Sequence, residues 1–259
     1  MNIKLIALDM DGTLLDSKKN LPSDFIPWVK SHPEIMTVIA SGRQYHTLAK
    51  DFYMLKNELM FIAENGGLVL KNDEIIYKNE MKKEDIKTCL DIAVKHPDMT
   101  PVLCGVKSAY MPKAEPEIFK QVDMYYVNLE VVDNIYDCIE KDSILKLAVN
   151  IKNFGAERSM SIFSGLEKHL KPVLSGDSWI DLSNASVNKG EAVKAILNKY
   201  GIDRKNAMSF GDYLNDYELI QACEESYCME NGHPDLKKIA KYTADTNDND
   251  GVMKILRNL

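Results

Sequence analysis

The chain has 259 residues, of which 45% are hydrophobic and 27% charged, and its formal net charge is −7 at pH 7. This composition is that of a globular protein with a substantial core, and the length predicts one large domain or two modest ones. Because an acidic chain without a basic stripe repels polyanions, we exclude nucleic acid as a partner.

The beginning and the end of the chain alternate between apolar, β-prone runs and helical patterns. The predicted strands are residues 3–8, 36–40, 59–63, 207–210 and 226–229. The predicted helices are residues 23–31, 44–56, 189–200, 213–223 and 234–240. Strands that are apolar on both faces suit a parallel sheet covered by helices. The pattern therefore predicts an α/β fold with a Rossmann-like core and right-handed βαβ connections.

The alternation breaks between about residues 80 and 184. A helical pattern at 86–94 is followed by strand-like segments at 100–106, 125–132 and 144–151, a helix near 156–169, and two short strands joined at 175–178. Strand pairs with turn residues between them predict an α+β unit with an antiparallel sheet. We therefore expect a split core, residues 1–81 and 185–259, with a second domain, residues 82–184, inserted through two linkers.

Polar clusters follow the predicted strands, at the edge where open α/β sheets bind ligands. They are Asp9-Met10-Asp11-Gly12-Thr13, Ser41-Gly42-Arg43, Glu64-Asn65-Gly66-Gly67 and Gly211-Asp212-Tyr213-Leu214-Asn215-Asp216. Each cluster alone is compatible with an ordinary strand-ending turn, and the acids of the last one with helix capping. Lys189 opens a predicted helix, where a cation is disfavoured unless an anion lies near, although alone it also fits a surface lysine. Together the clusters predict one phosphate-binding crevice.

These motifs, in this order, resemble those of the haloacid dehalogenase superfamily, and specifically of its Cof-type phosphatases with a type-two (IIB) α/β cap. The resemblance covers the whole chain, including the tail segments 229–232 and 249–252. It implies that residues 82–184 form the cap. Gly232 stands where many relatives have alanine, and Leu219 where methionine is frequent. We expect neither departure to touch the chemistry.

The resemblance implies a phosphohydrolase that works through two carboxylates. Asp9 would attack the phosphoryl group and form an aspartyl-phosphate, which divides one hard displacement into two steps. Asp11 would protonate the leaving oxygen and then deprotonate the attacking water. Because this duty needs an ionisation close to neutrality, we expect negative charge or desolvation around Asp11.

A cation is expected beside the nucleophile, since Asp9, Asp212 and Asp216 would crowd next to a dianionic phosphate. At about 4 Å and an effective dielectric of 20, each like-charge pair costs roughly 4 kcal/mol. All-oxygen ligands with phosphate as co-ligand predict Mg²⁺. Asp9 and Asp212 are expected as direct ligands and Asp216 through water, and the resemblance implies that the backbone carbonyl of Asp11 joins them.

The phosphoryl oxygens need hydrogen-bond donors, because positioning and charge neutralisation do most of the work in phosphoryl transfer. The expected donors are Ser41, the amides of Gly42 and Met10, Lys189 and Asn215. Further candidates for the site are Thr13, Arg43 and Asn65.

The expected substrate is a small phosphorylated metabolite, with a sugar phosphate ahead of flavin mononucleotide and pyridoxal phosphate. The inserted domain is expected to set this preference, since a covering domain can contact the part of the substrate that does not react. Two alternatives stay open on the same scaffold. A phosphomutase would need a second phosphate site, but Arg158 is the only arginine of residues 82–184. A non-catalytic phosphate-binding regulatory protein would not need Asp11.

The sequence shows no targeting signal, and we therefore expect a cytoplasmic protein. The N-terminus lacks the pattern of a signal peptide, and no window approaches the roughly 18 apolar residues of a membrane span. The five cysteines include no Cys-x-x-Cys pair, which indicates reduced thiols. We expect no membrane partner, and a monomer or a small homo-oligomer.

Overall fold

The computed structural model describes residues 2–152, 155–166 and 168–259. The chain forms two compact units. The first, here called the core unit, consists of Met1–Gly42, Leu48–Tyr77 and Asn188–Leu259. The second, here called the inserted unit, consists of Arg43–Thr47 and Lys78–Val187. Among the described residues, no helix is both long and apolar enough to cross a bilayer.

The first part of the chain alternates strands and helices and ends in a hairpin. Its elements are β1 (Leu5–Asp9), α1 (Phe25–Ser31), β2 (Met36–Ala40), α2 (Tyr45–Asp51), β3 (Met60–Ala63), β4 (Leu68–Lys71) and β5 (Glu74–Lys78).

The described residues of the middle part form one sheet and four helices. Its elements are α3 (Lys83–Ala93), β6 (Met99–Gly105), β7 (Ala109–Pro112), α4 (Pro116–Asp123), β8 (Leu129–Val132), α5 (Cys138–Lys141), β9 (Ile144–Ile151), α6 (Ala156–Ser159), β10 (Leu170–Gly176) and β11 (Trp179–Asn184).

The last part returns to alternating helices and strands. Its elements are α7 (Lys189–Tyr200), β12 (Ala207–Gly211), α8 (Tyr217–Ala222), β13 (Glu225–Met229), α9 (Pro234–Ile239), β14 (Tyr242–Ala244) and α10 (Gly251–Leu256).

The core unit is built on a sheet in the order β14-β13-β12-β1-β2-β3-β4-β5. The strands from β14 to β3 run parallel to their neighbours, and β4 is antiparallel to β3. Every residue of β1 is buried, as in a strand covered on both faces. On one face, Leu5 and Ala7 of β1 pack with Ala192 and Val193 of α7. The predicted α/β core is confirmed.

The inserted unit has a sheet in the order β10-β11-β9-β6-β7-β8. The pairing is antiparallel except between β7 and β8, which are parallel. The predicted antiparallel sheet is therefore present, apart from this one parallel pair. The reason for this pair is α4, which connects β7 to β8 as a crossover, and parallel neighbours require such a connection. Pro116 in the first turn marks the start of this helix, which the sequence analysis did not predict.

The inserted unit carries a hydrophobic core of its own. One cluster joins α3 to β6, β9 and β11 and includes Leu90, Leu147 and Ile180. A second cluster joins α4 to β6 and β9. An α+β unit inserted into the sequence of a parallel-sheet core is the predicted fold class.

One predicted helix of the inserted unit is much shorter than expected. Between residues 156 and 169 the structure has α6, of four residues, followed by a 3₁₀ turn over Met160–Phe163. Gly165 then takes a positive φ of 90°, which ends helical backbone. Residue 167 of this predicted helix lies outside the described part of the chain.

Candidate active site

Three neighbouring strands end at one edge of the core sheet. Asp9 is the last residue of β1, and its side chain is buried. β2 lies parallel beside it and leads into Ser41 and Gly42. On its other side, β12 ends at Gly211, directly before Asp212. The carboxyl ends of these parallel strands therefore bring the polar clusters to the same edge, where such sheets bind ligands.

Lys189 reaches this edge from the first turn of α7, and its side chain is completely buried. Its Nζ donates to Oδ1 of Asp9 at 2.5 Å and to Oδ1 of Asp216 at 2.7 Å. Asn188 caps the helix, with its Oδ1 accepting from the backbone N of Glu191 at 2.8 Å. A buried ammonium at the positive end of a helix needs such anionic partners. Lys189 is therefore not the surface lysine that its position alone would also allow.

Asp216 organises the loop after β12. Its Oδ2 accepts from the backbone N of Asp212 at 3.0 Å and of Tyr213 at 3.3 Å, and its Oδ1 is held by Lys189. One carboxylate oxygen from each of Asp9, Asp212 and Asp216 lies within 4.8 Å of the others. The three predicted acids thus form one cluster, and both carboxylate oxygens of Asp216 accept hydrogen bonds within it.

Burial and mutual repulsion shift the ionisation of the cluster. Burial, followed by the charge of Asp216, raises the pKa of Asp9 to about 7. The same two causes raise the pKa of Asp212 to about 6. Burial disfavours the charged form of Lys189, but the Asp216 and Asp9 carboxylates outweigh it and raise the pKa of Lys189 above its ordinary value. The single charge of Lys189 does not neutralise the three carboxylates of the cluster. A further cation would favour their ionised forms.

The donor set fits a hard divalent cation. Oδ2 of Asp9 is buried and receives no hydrogen bond from any described residue. Asp212 is partly exposed, and its Oδ1 accepts from Oγ1 of Thr13 at 3.4 Å. Clustered carboxylate oxygens of this kind are the ligands of Mg²⁺ in proteins. Asp9 and Asp212 would therefore hold the ion, while both oxygens of Asp216 already have partners.

Asp11 lies in a compact turn after β1. The turn is closed by a bridge between Asp11 and Leu15, and the backbone N of Leu15 donates to the carbonyl of Met10 at 2.9 Å. The Asp11 side chain is 37% exposed, and its Oδ1 accepts from Nζ of Lys19 at 2.8 Å. The negative charge or desolvation that we expected around Asp11 stays a prediction, and the structure adds the contact with Lys19.

The predicted phosphate-binding side chains follow the strands of the same edge. Ser41 is buried, and its backbone N donates to the carbonyl of Ile62 at 2.9 Å. Asn215 is exposed, and its Nδ2 donates to Oδ1 of Asn65 at 3.3 Å. Met10 is buried beside Asp9, whereas Arg43 groups with the inserted unit.

Two glycines make room for Asp212. Gly12 has a φ of +85°, and a Cβ there would lie 2.3 Å from Oδ2 of Asp212. A Cβ on Gly232 would lie 2.9 Å from the backbone O of Asp212 and 2.7 Å from Sγ of Cys228. Gly232 therefore packs against the backbone of an acid of the cluster, and the expectation that its departure leaves the chemistry untouched stays a prediction.

Sequence reasoning missed two neighbours of the site. Lys19, the partner of Asp11, is one lysine among many in the sequence and carries no distinguishing signal. Asn231 was singled out only as part of the tail, yet its Nδ2 donates to the carbonyl of Gly12 at 2.8 Å. Its Oδ1 accepts from the backbone N of Asn247 at 3.1 Å, so it ties the turn after β1 to the C-terminal loop.

Comparison with known proteins matches the sequence to one family. Residues 6–256 match the sequence profile of the haloacid dehalogenase-like hydrolases. The chain is 32% identical over 261 residues to the 5-amino-6-(5-phospho-D-ribitylamino)uracil phosphatase YbjI of Escherichia coli, covering 99% of this chain and 96% of that protein.

Solved structures share the fold over the whole chain. A haloacid dehalogenase-like hydrolase from Bacteroides thetaiotaomicron superposes with a TM-score of 0.85 at 23% identity, covering 99% of both chains. A sugar phosphatase of subclass IIB of the superfamily superposes with a TM-score of 0.77 at 19% identity, covering 98% of both chains. At these sequence identities the two structures show only that the fold is shared.

Proposed function

The chain belongs to the haloacid dehalogenase-like hydrolases and is a phosphohydrolase, and from this premise we propose that it is a Mg²⁺-dependent phosphatase of small phosphorylated metabolites with Asp9 as nucleophile. One observation carries the proposal. Asp9 ends the middle strand of the sheet with one oxygen on Lys189 and the other buried beside Asp212. A carboxylate held in this way is oriented and next to a cation site, as an attacking group must be.

The proposed reaction has two displacements at phosphorus. In the first, an oxygen of Asp9 forms a bond to phosphorus while the ester P–O bond breaks, and Asp11 gives its proton to the leaving oxygen. In the second, water attacks the aspartyl-phosphate, Asp11 takes the water proton, and the bond between Asp9 and phosphorus breaks to release inorganic phosphate. Asp11 ends each cycle with the proton it began with, as a general acid and base must.

The other side chains of the site orient Asp9 and bind the phosphoryl group. Lys189 keeps Asp9 oriented and offers positive charge to the phosphoryl oxygens. Ser41, Asn215 and the amides of Met10 and Gly42 are the proposed donors to the remaining oxygens. Mg²⁺ held by Asp9 and Asp212, with the carbonyl of Asp11, would neutralise charge on the phosphoryl group.

The proposed substrate carries its phosphate on a sugar-like chain. The relative from Escherichia coli is named for a substrate whose phosphate sits on a ribityl group, and this supports phosphorylated sugars and sugar alcohols ahead of other esters. Flavin mononucleotide and pyridoxal phosphate remain the alternatives. We place the residues that read the leaving group in the inserted unit, and we place the protein in the cytoplasm, without a nucleic-acid or membrane partner.

A panel of phosphorylated metabolites tests the proposal. Purified protein should release inorganic phosphate from sugar-type phosphates with Mg²⁺ and not with excess EDTA. Asp9→Asn, which keeps the size but removes the attacking charge, should lower kcat by about 10³-fold or more with the fold intact. Asp203→Asn is the matched control, because Asp203 is an exposed acid that caps a 3₁₀ turn and pairs with Lys205 at the surface. Full turnover in EDTA would remove the metal from the proposal, and an active Asp9→Asn would remove the nucleophile.

The same panel separates a phosphatase from the phosphomutase alternative. A mutase would move the phosphate to another position of the same molecule without releasing it. Phosphate release and product isomers are therefore measured together. A regulatory phosphate-binding protein would yield neither product.

A further inference from the structure

The turn after β3 has an uncommon backbone. Glu64, Asn65 and Gly66 all have positive φ, at 51°, 54° and 106°. Asparagine tolerates the left-handed region better than most residues, but glutamate does not, and strained backbone of this kind persists where surrounding contacts hold it. These contacts lead to three parts of the candidate active site.

The first contact is with the loop after β2. The backbone N of Asn65 donates to the carbonyl of Ser41 at 3.0 Å. A Cβ on Gly42 would lie 2.9 Å from Nδ2 of Asn65, so the two residues pack as closely as a glycine permits. The amide of Asn65 is thus pressed against the backbone that we assign to phosphate binding.

The other two contacts lead to Asn215 and to the start of α7. Oδ1 of Asn65 accepts from Nδ2 of Asn215 at 3.3 Å. A Cβ on Gly66 would lie 2.1 Å from the carbonyl O of Asn188, the residue before Lys189. The turn is therefore packed against three of the four segments that carry the proposed phosphate donors, the exception being the loop after β1 with Met10.

We propose that Asn65 is a positioning residue that fixes the side chain of Asn215 for phosphate binding, an inference that rests on the proposed function. The Asn215 side chain is exposed, and an exposed amide loses rotamer freedom when it binds a ligand. A hydrogen bond to Asn65 removes that freedom before phosphate arrives, and preorganisation of this kind increases affinity. Asn65 needs no contact with phosphate for this role.

The variant Asn65→Gly removes the side chain and leaves the left-handed backbone accessible. The KM for the preferred ester and the inhibition constant of inorganic phosphate should both rise about three- to tenfold, with kcat within about twofold, as expected for lost uniform binding. Asn72→Gly is the matched control. Asn72 also has a positive φ, of 51°, but follows β4, whose end pairs with the start of β3 at the opposite end of the sheet.

A double variant asks whether Asn65 acts through Asn215. Asn215→Ala alone should raise both constants, and Asn65→Gly added to it should change them by less than about twofold, because the positioned group is already gone. Independent, multiplicative losses would overturn the inference.

If Asn65→Gly does not fold, the wild-type protein supplies the test. The side-chain amide signals of Asn215, assigned by their loss in Asn215→Ala, should show the order of the folded backbone by heteronuclear NMR relaxation. A freely rotating Asn215 amide would overturn the inference, as would an Asn65→Gly that behaves like Asn72→Gly. An active Asp9→Asn, or an Asn215→Ala with unchanged phosphate inhibition, would instead contradict the proposed function.

Discussion

The ammonium of Lys189 lies 2.5 Å from Oδ1 of Asp9 and 2.7 Å from Oδ1 of Asp216, and no part of the Lys189 or Asp216 side chain is exposed to solvent. Two carboxylates therefore share one buried cation. Such an arrangement is stable only while all its partners are present, because each charge left alone would be buried without compensation.

Lys189→Met keeps the length of the side chain and removes its charge, so it leaves Asp9 and Asp216 facing each other. The free energy of unfolding at neutral pH should fall by about 3–5 kcal/mol, and denaturant melts measure it. Lys194→Met is the control on the same helix, since Lys194 is half exposed and pairs with Glu191 at the surface. Its loss should be about 1 kcal/mol or less. Equal losses in the two variants would contradict a structural role for the buried pair.

The sequence predicted the strands of the core because their composition is simple. The apolar run before Asp9 is typical of a strand that is covered on both faces of a sheet, and all of β1 is buried. Because parallel strands end at the same edge of a sheet, the polar residues after each strand meet at that edge. Asp9, Ser41 and Asp212 could therefore be predicted at this edge from the sequence.

Other features depend on contacts that are distant along the chain. The pairing of Lys189 with Asp216, and that of Asn65 with Asn215, link residues far apart in sequence, and no local pattern encodes them. α4 was missed because it has only eight residues, with Ile118 and Val122 as its buried apolar positions, which is too short a run for a clear helical period. The hairpin of β4 and β5 was missed because β4 has only four residues and β5 is largely exposed, so neither strand has a strong sequence pattern.

Asp11→Asn should separate the two steps of the reaction. On an alkyl phosphate, kcat should fall by about 10²–10⁴-fold, because the leaving oxygen then lacks its proton donor. An aryl phosphate with a good leaving group needs no proton, so it should give a burst of phenol close to one per enzyme and then slow turnover. Rapid-mixing measurements of phenol and of phosphate provide the comparison. Equal loss on both esters, without a burst, would assign the acid to another residue.

Gly190→Ala should damage both stability and activity. A Cβ on Gly190 would lie 2.2 Å from the carbonyl O of Glu218, so α7 and α8 touch there through backbone. Forcing the helices apart should lower the free energy of unfolding by about 1–3 kcal/mol. It should also lower kcat/KM, because Lys189 is the adjacent residue.

Gly201→Ala is the control for this substitution. Gly201 ends α7 with a φ of 62°, and a Cβ there would meet no atom within 4 Å. Only the left-handed backbone opposes the change, at a cost of about 1 kcal/mol, and activity should be unchanged. If Gly190→Ala kept wild-type kcat/KM, the position of α7 would not control Lys189.

The last prediction concerns the inserted unit, to which we assign substrate preference. Its two connections to the core unit lie close together, since Nδ2 of Asn184 donates to Oδ1 of Asn79 at 2.7 Å and to the carbonyl of Glu80 at 2.8 Å. A short Gly/Ser linker can therefore replace residues 82–184 without stretching the chain.

The shortened protein should bind Mg²⁺ and phosphate, because Asp9, Lys189 and Asp212 all belong to the core unit. It should lose its ranking among phosphorylated metabolites, and its kcat/KM on the preferred one should fall by about tenfold or more, since contacts to the non-reacting part of a substrate supply specificity. Circular dichroism must first show a folded core, because residues 43–47 group with the inserted unit and lose their contacts. A folded core that kept both the ranking and the kcat/KM of the full chain would place specificity in the core unit itself.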